Sequence, residues 1–323
     1  MQDIDKIKGN FYIYSNGEYV VLPGTKLYIL KPAGSLVACR KDLRYAGRIT
    51  FLSENRMLLC SSKSIFHMIN LCDGSDIWTA PYTKIDLNAS EFAISPDEAF
   101  AYTYDERNGT PFISRLDLQT HQVVACDMYM DVGGTRGIIC NKAGSPCLLK
   151  TVSETIGGKY FHQIGVRIHD FFGISPGNCT CWETKWSFEG NRNVLCFLEG
   201  TNRVITSDLH VYETFTGVSI DLLENESSWQ RPERSPSDCW LDISKRYLSL
   251  KYQTANVIID IHARKVVAQY AAEYKRGCLV GNEYWICAGD RIHRKPFPAF
   301  EEAPPVKVTD GMGWYYAKHP ELW

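Results

Sequence analysis

No stretch of this chain approaches the roughly eighteen consecutive apolar residues that a membrane-spanning helix requires; the longest apolar runs are strand length. A bilayer-crossing helix is therefore not expected. Several short patterns that betray common catalytic machinery are missing as well. There is no HExxH for a zinc hydrolase, and no Walker loop or GxGxxG to cradle phosphates. The eight histidines are scattered. His162 and His169 lie seven apart on a strand-like run and so fall on opposite faces, while His121 and His262 occupy equivalent turns and are expected in solvent.

Basic excess is absent too. With 35 Lys and Arg against 37 Asp and Glu, the net charge is -2, and a phosphate backbone needs a concentrated basic face. A nucleic-acid partner is not expected. Lys26, Lys31, Arg40, Lys41, Arg44 and Arg48 form one basic segment, but strand alternation divides them between two faces. A solvated sheet edge is the expectation, with a local acidic partner as the alternative.

The start of the chain, Met1 to Lys6, is charged and no apolar stretch follows it, so a cytoplasmic location is expected. The twelve cysteines then read as reduced thiols. Cys39, Cys60, Cys126, Cys196, Cys239, Cys278 and Cys287 sit among apolar neighbours, where Cys serves as a small buried hydrophobe. Cys179 and Cys181 form the one close pair, without a second Cys or His pair at zinc spacing. No metal and no cofactor are predicted. The Asn-X-Ser/Thr triplets at Asn88, Asn108, Asn178 and Asn225 read as turn asparagines, and Asn108-Gly109 is a hairpin turn of the primed type.

What the chain does contain is a repeated phrase of strand, polar turn, two further strands, a second turn and a closing strand. It is clearest at Phe92 to Val124, where Ser95-Pro96-Asp97-Glu98 and Gln119-Thr120-His121-Gln122 are the two turns. It recurs at Ile49 to Gly74 and at Trp240 to Val267. Anchored on the first residue of the later turn, at Lys31, Cys72, Gln119, Phe172, Phe215, His262 and Pro296, the copies step by 41, 47, 53, 43, 47 and 34 residues. The long step reflects an insertion from Thr151 to Gln163 that lengthens one hairpin. A four-stranded sheet of this kind cannot bury both faces alone and must stack on copies of itself.

Ser95-Pro96-Asp97 and the strand ends Leu116-Asp117-Leu118 and Ile259-Asp260-Ile261 resemble the β-propeller superfamily of WD40-like and TolB-like repeats, over nearly the whole chain. The Gly-His and Trp-Asp dipeptides of true WD40 repeats do not occur, so the resemblance implies a fold and no particular partner. It implies an all-β, single-domain propeller of four-stranded antiparallel blades, seven by the anchor count, with six or eight the alternatives. The blades are expected at 7-43, 47-81, 89-127, 134-184, 191-224, 238-270 and 275-297, followed by a proline-containing tail, 298-323.

Two segments break the repeat. The connector Glu224 to Ser237 is polar and proline-broken, yet carries Trp229, Arg231 and Arg234, residue types enriched in binding hot spots. The alternative is that Trp229 folds back over the rim between two blades. The tail carries Trp314, Tyr315, Tyr316 and Trp323 behind a run of prolines. Aromatic rings of this size bury roughly 150 to 250 Å² each. They are expected to dock on the first blade as a closing strand, or else to be offered to a partner.

A non-catalytic platform that binds a protein or peptide on a loop face or through its side is the leading expectation. The alternatives are a lactonase-like, metal-dependent hydrolase with its site in the central channel, and a module for a small molecule or sugar. Channel ligands would come from the innermost strands, around Ser15 to Glu18, Ser90 to Glu91, Asn191 to Asn193 and Asp238.

Overall fold

The computed structural model describes residues 3-9, 11-44, 47-61, 65-81, 92-107, 110-127, 135-140, 146-156, 159-168, 184-189, 194-198, 203-213, 218-229, 236, 238-242, 244-252, 255-271, 277-288 and 290-301. Their strands form seven antiparallel sheets, each a meander in chain order. The first sheet comprises Tyr14–Ser15, Val20–Pro23, Leu27–Leu30 and Leu36–Arg40, and the second Gly47–Leu52, Arg56–Cys60, Ile65–Asn70 and Asp76–Pro81. Ala93–Ile94, Phe100–Arg107, Thr110–Asp117 and Val123–Asp127 make the third, and Thr135–Cys140, Pro146–Ile156, Lys159–Ile168 and Thr184–Glu189 the fourth. The fifth consists of Val194–Leu198, Arg203–Thr206, His210–Glu213 and Ser219–Asp221, and the sixth of Asp238–Leu241, Tyr247–Lys251, Ala255–Asp260 and Lys265–Ala271. Cys278–Val280, Glu283–Ala288 and Arg291–Pro296 complete a seventh sheet, three-stranded among the described residues.

Burial explains the strand sequences. Val20–Pro23 and Ala255–Asp260 are buried at every position. Each therefore has a neighbouring sheet on both faces; the first is apolar throughout, and the second is apolar but for the buried Asn256 and Asp260. The outer strand Lys265–Ala271 instead alternates buried with accessible residues along much of its length, as expected where the packing is one-sided.

Apolar clusters join sheet to sheet. Tyr19, Val21 and Ile29 of the first meet Ile49, Met57, Leu59 and Ile69 of the second. Leu58, Phe66 and Met68 of the second meet Ala101 and Leu116 of the third. Ile205 and Val211 of the fifth meet Leu248, Leu250 and Val257 of the sixth, and Ile258, Ala268 and Tyr270 of the sixth meet Tyr284 and Ile286 of the seventh. The seventh then packs on the first, through Val280, Trp285 and Cys287 against Val20, Leu22 and Leu30. The succession of sheets returns on itself. First strands of neighbouring sheets lie close, as Tyr14–Ser15 does to Cys278–Val280 and Val194–Leu198 to Asp238–Leu241, so the first strand is the innermost.

Ile4, Ile7, Phe11 and Ile13, from the segment ahead of the first sheet, fill the cluster between first and last sheets. Gly9 N donates to Asp290 O at 2.8 Å, and the Cys287 thiol accepts from Phe11 N at 3.5 Å and donates to Gly9 O at 3.4 Å. The described start of the tail runs along the sixth sheet, where Ala299 O accepts from Gln269 N at 2.9 Å. The rest of the tail lies outside the described residues.

The turn chemistry is legible atom by atom. Ser95 Oγ donates to Asp97 at 2.6 Å and Asp97 accepts from Ala99 N, leaving Glu98 at a φ of 53°. In the later turns, Asp117 accepts from Gln119 N and Thr120 N, and Asp260 from His262 N and Ala263 N. A bond from the end of the third strand back to the first turn completes the motif, Leu71 N to Asn55 O, Leu118 N to Ala99 O and Ile261 N to Arg246 O.

In the fifth sheet a like bond runs from Leu222 N, just after the fourth strand, to Leu209 O, and Asp221 accepts from Leu223 N. The anchor Phe215 lies outside the described residues, between the third and fourth strands of that sheet. Cys39 departs from expectation, being exposed on an outer strand, whereas Cys60 and Cys287 are buried. The insertion is a prolonged hairpin in the fourth sheet, paired from Cys147↔Ile168 to Ile156↔Lys159.

Candidate interaction site

The described parts of the two segments that break the repeat meet on one residue, Gln269, in the outer strand of the sixth sheet. The connector reaches it first. Asn225 donates through its backbone and side chain to Arg264 O and Ala263 O, which sets Leu222 to Trp229 along the outer strand. Glu226 fixes the bend, accepting from Ser228 N, Trp229 N and Val266 N, all at 3.0 Å. Burial acting alone would raise its pKa, but the three amides hold it below the usual carboxylate value.

Trp229 is thereby folded inward. Its indole packs on the cluster between fifth and sixth sheets, with its ring 6.2 Å from that of Tyr252, and its Nε1 donates to Gln269 Oε1 at 3.0 Å. Trp229 thus covers the junction, with its polar edge satisfied, as buried tryptophans commonly are. Arg231 and Arg234 lie outside the described residues.

From the other side comes the start of the tail. Gln269 N donates to Ala299 O and Gln269 O accepts from Glu301 N, both at 2.9 Å, and a parallel bridge pairs Gln269 with Phe300. Gln269 Nε2 donates to Glu301 O at 3.0 Å. The Glu301 carboxylate accepts from Ala271 N at 3.0 Å and from Lys295 at 2.7 Å. Phe300, held between these contacts, is 65% exposed. Trp314, Tyr315 and Tyr316 lie outside the described residues.

The basic segment is arranged differently. Arg40 donates to Gly74 O at 2.8 Å, to Asp42 at 2.7 Å and to Asp76 at 2.8 Å, joining the first sheet to the second. Its guanidinium pulls the Asp42 carboxyl down to about 2. Lys31 lies 3.6 Å over the Tyr19 ring. Both cations are engaged within the protein.

No protein-family model matches the chain, and no curated protein matches it. Solved structures do. The propeller domain of Cps50 (Swd1) from Myceliophteria thermophila superposes with a TM-score of 0.53 at 10% identity, over 88% of this chain and 96% of that one. The fold is a β-propeller. Hsv2 from Kluyveromyces lactis is also similar, at 11% identity and a TM-score of 0.46, over 86% of this chain and 87% of that one.

Only some of the expected channel residues lie among those described. Asn16 accepts from Glu18 N and Tyr19 N in its own turn, and Asp238 opens the innermost strand of the sixth blade. Ser90, Glu91 and Asn191 to Asn193 lie outside the described residues. Among the described residues no three His, Cys, Asp or Glu side chains gather as metal ligands, and no helix is long and apolar enough to cross a membrane. His121 and His262 are exposed at their turns, and His121 stacks on Trp78 with ring centroids 4.4 Å apart. Gln269, Phe300 and Glu301 were not singled out by sequence. The signal available was a phenylalanine and two glutamates between Pro298 and Pro304.

Proposed function

We propose that this propeller is a non-catalytic interaction platform that binds a protein or peptide at the outer rim of its sixth blade. One observation carries the reading: both non-repeat segments converge on Gln269 and hold an exposed Phe300 between fixed neighbours. Ordinary loops between blades need only span a short gap, whereas these two are bonded along a strand edge. Such an arrangement is costly in chain entropy and sets an apolar ring in water.

The test is site-directed photo-crosslinking. A tagged chain carrying benzoylphenylalanine at position 228, beside Trp229, is irradiated in cells of its host and purified. A partner crosslinked at 228 and absent from a control with the probe at exposed Lys245 supports the reading. Equal labelling from both positions, or none from 228, refutes it. Stoichiometric divalent metal in the purified protein would also refute it and favour the channel-centred hydrolase.

A further inference from the structure

We propose that the partner enters as an extended peptide, added as one more β-strand beside Ala299–Glu301 and paired with the main chain of Phe300. This rests on the platform reading and specifies its geometry. In a parallel bridge one residue engages its neighbour through both its N–H and its C=O, while the residue opposite turns both groups the other way. Gln269 is the engaging residue, bonded to Ala299 O and Glu301 N. The N–H and C=O of Phe300 therefore point away from the sixth sheet, and among the described residues nothing bonds them. A donor and an acceptor offered side by side from extended backbone are matched by a second extended backbone, the geometry of strand addition at a sheet edge.

The neighbours of Phe300 hold it ready. Ala299 packs on the cluster of Tyr270, Tyr284 and Ile286, and Glu301 is tied to Ala271 N and Lys295. Little further order has to be imposed on this edge when a strand arrives, which favours binding. The chemistry of the occupant follows from the same contacts. Lys295 and Glu301 neutralise one another, and the side chain offered is a phenyl ring 65% exposed. An apolar or aromatic residue opposite Phe300 suits that surface better than a charge. Pro298, two residues earlier, has no N–H to offer and keeps the edge short.

The probe is a phage-displayed library of random heptapeptides, selected on the full-length protein, with affinities then measured by fluorescence polarisation. Enriched peptides carrying an apolar or aromatic residue, weakened about tenfold by Phe300→Ala and at least as much by Phe300→Pro, are the expected result. N-methylation along the peptide should abolish binding at one residue and be tolerated at the next, a period of two that only strand pairing produces. If Phe300→Pro proves misfolded by circular dichroism, Phe300→Ala and the N-methyl series decide. Failure to enrich any peptide, binding indifferent to Phe300, or N-methylation without alternation overturns the proposal. Phe300-dependent dimerisation seen by light scattering would assign the strand to a second copy of this chain and overturn it equally. Crosslinking at position 228 together with Phe300-independent binding would leave the platform reading standing and remove only the strand.

Discussion

Truncating Phe11 to Ala should open the propeller at one seam. The ring is 1% exposed, between Val20, Leu22 and Leu30 of the first blade and Val280, Trp285 and Cys287 of the seventh, and it meets Tyr28 edge-on at 5.8 Å. Removal of a buried phenyl group leaves a cavity and costs about 3 to 5 kcal/mol, with the lost edge-on contact adding roughly 0.5 to 1.5 kcal/mol. Against a total stability of roughly 5 to 15 kcal/mol, that is a large fraction. With a urea dependence of roughly 3 kcal/mol per molar for a chain of this length, the unfolding midpoint should fall by about 1 M or more. Hydrogen exchange locates the effect. Amides in Val20–Pro23 and Glu283–Ala288 should lose protection together, while those in Ala255–Asp260, on the far side of Tyr270, keep theirs. A loss below about 1 kcal/mol, or protection lost evenly in all seven sheets, would show that the segment ahead of the first sheet does not close the ring.

Two further outcomes are expected. Glu226→Ala should destabilise the protein at neutral pH, since three backbone donors lose their acceptor. The folded-state pKa of Glu226 is depressed, so its stabilisation is present above the ordinary carboxylate value and fades as pH falls through the folded one. The wild-type and Glu226→Ala stabilities should therefore converge in acid, and a gap independent of pH from 7 to 3 refutes the assignment. Gly74 stands at a φ of 74°, and an added Cβ would lie 2.3 Å from that of Ala38 in the first blade; Gly74→Ala should cost more than about 1 kcal/mol in urea unfolding, and an unchanged midpoint counts against the close approach.

The sheets were legible where local chemistry repeats. Asp97, Asp117 and Asp260 each bond amides two or three residues ahead, which is why aspartate after Ser-Pro and at strand ends marks the turns in the sequence. The turn of the fifth blade is harder to read because it is written Thr206-Ser207-Asp208-Leu209, without proline or glycine, although Leu209 takes a φ of 63° and bonds back to Thr206 O as the others do. A leucine in that conformation is uncommon, and no propensity points to it. Closure was less accessible still. The propeller is sealed by Ile4, Ile7, Phe11 and Ile13, apolar residues scattered among polar ones whose partners lie some 280 positions away, as the Phe11 to Cys287 separation of 276 shows. Long-range pairing of that kind leaves no local periodicity to read.

The rim site shows why composition and role can part. Trp229 has the composition of a hot spot, yet its ring is spent on the junction of fifth and sixth blades and its Nε1 on Gln269. Phe300, flanked by alanine and glutamate, gave less reason for notice and is the ring left in solvent. The two are linked through Gln269, whose Oε1 takes the indole and whose backbone takes the tail. A peptide bound at Phe300 as proposed would load the same residue that seats Trp229. The connector and the tail act on one strand, and the surface one supports is the surface the other exposes.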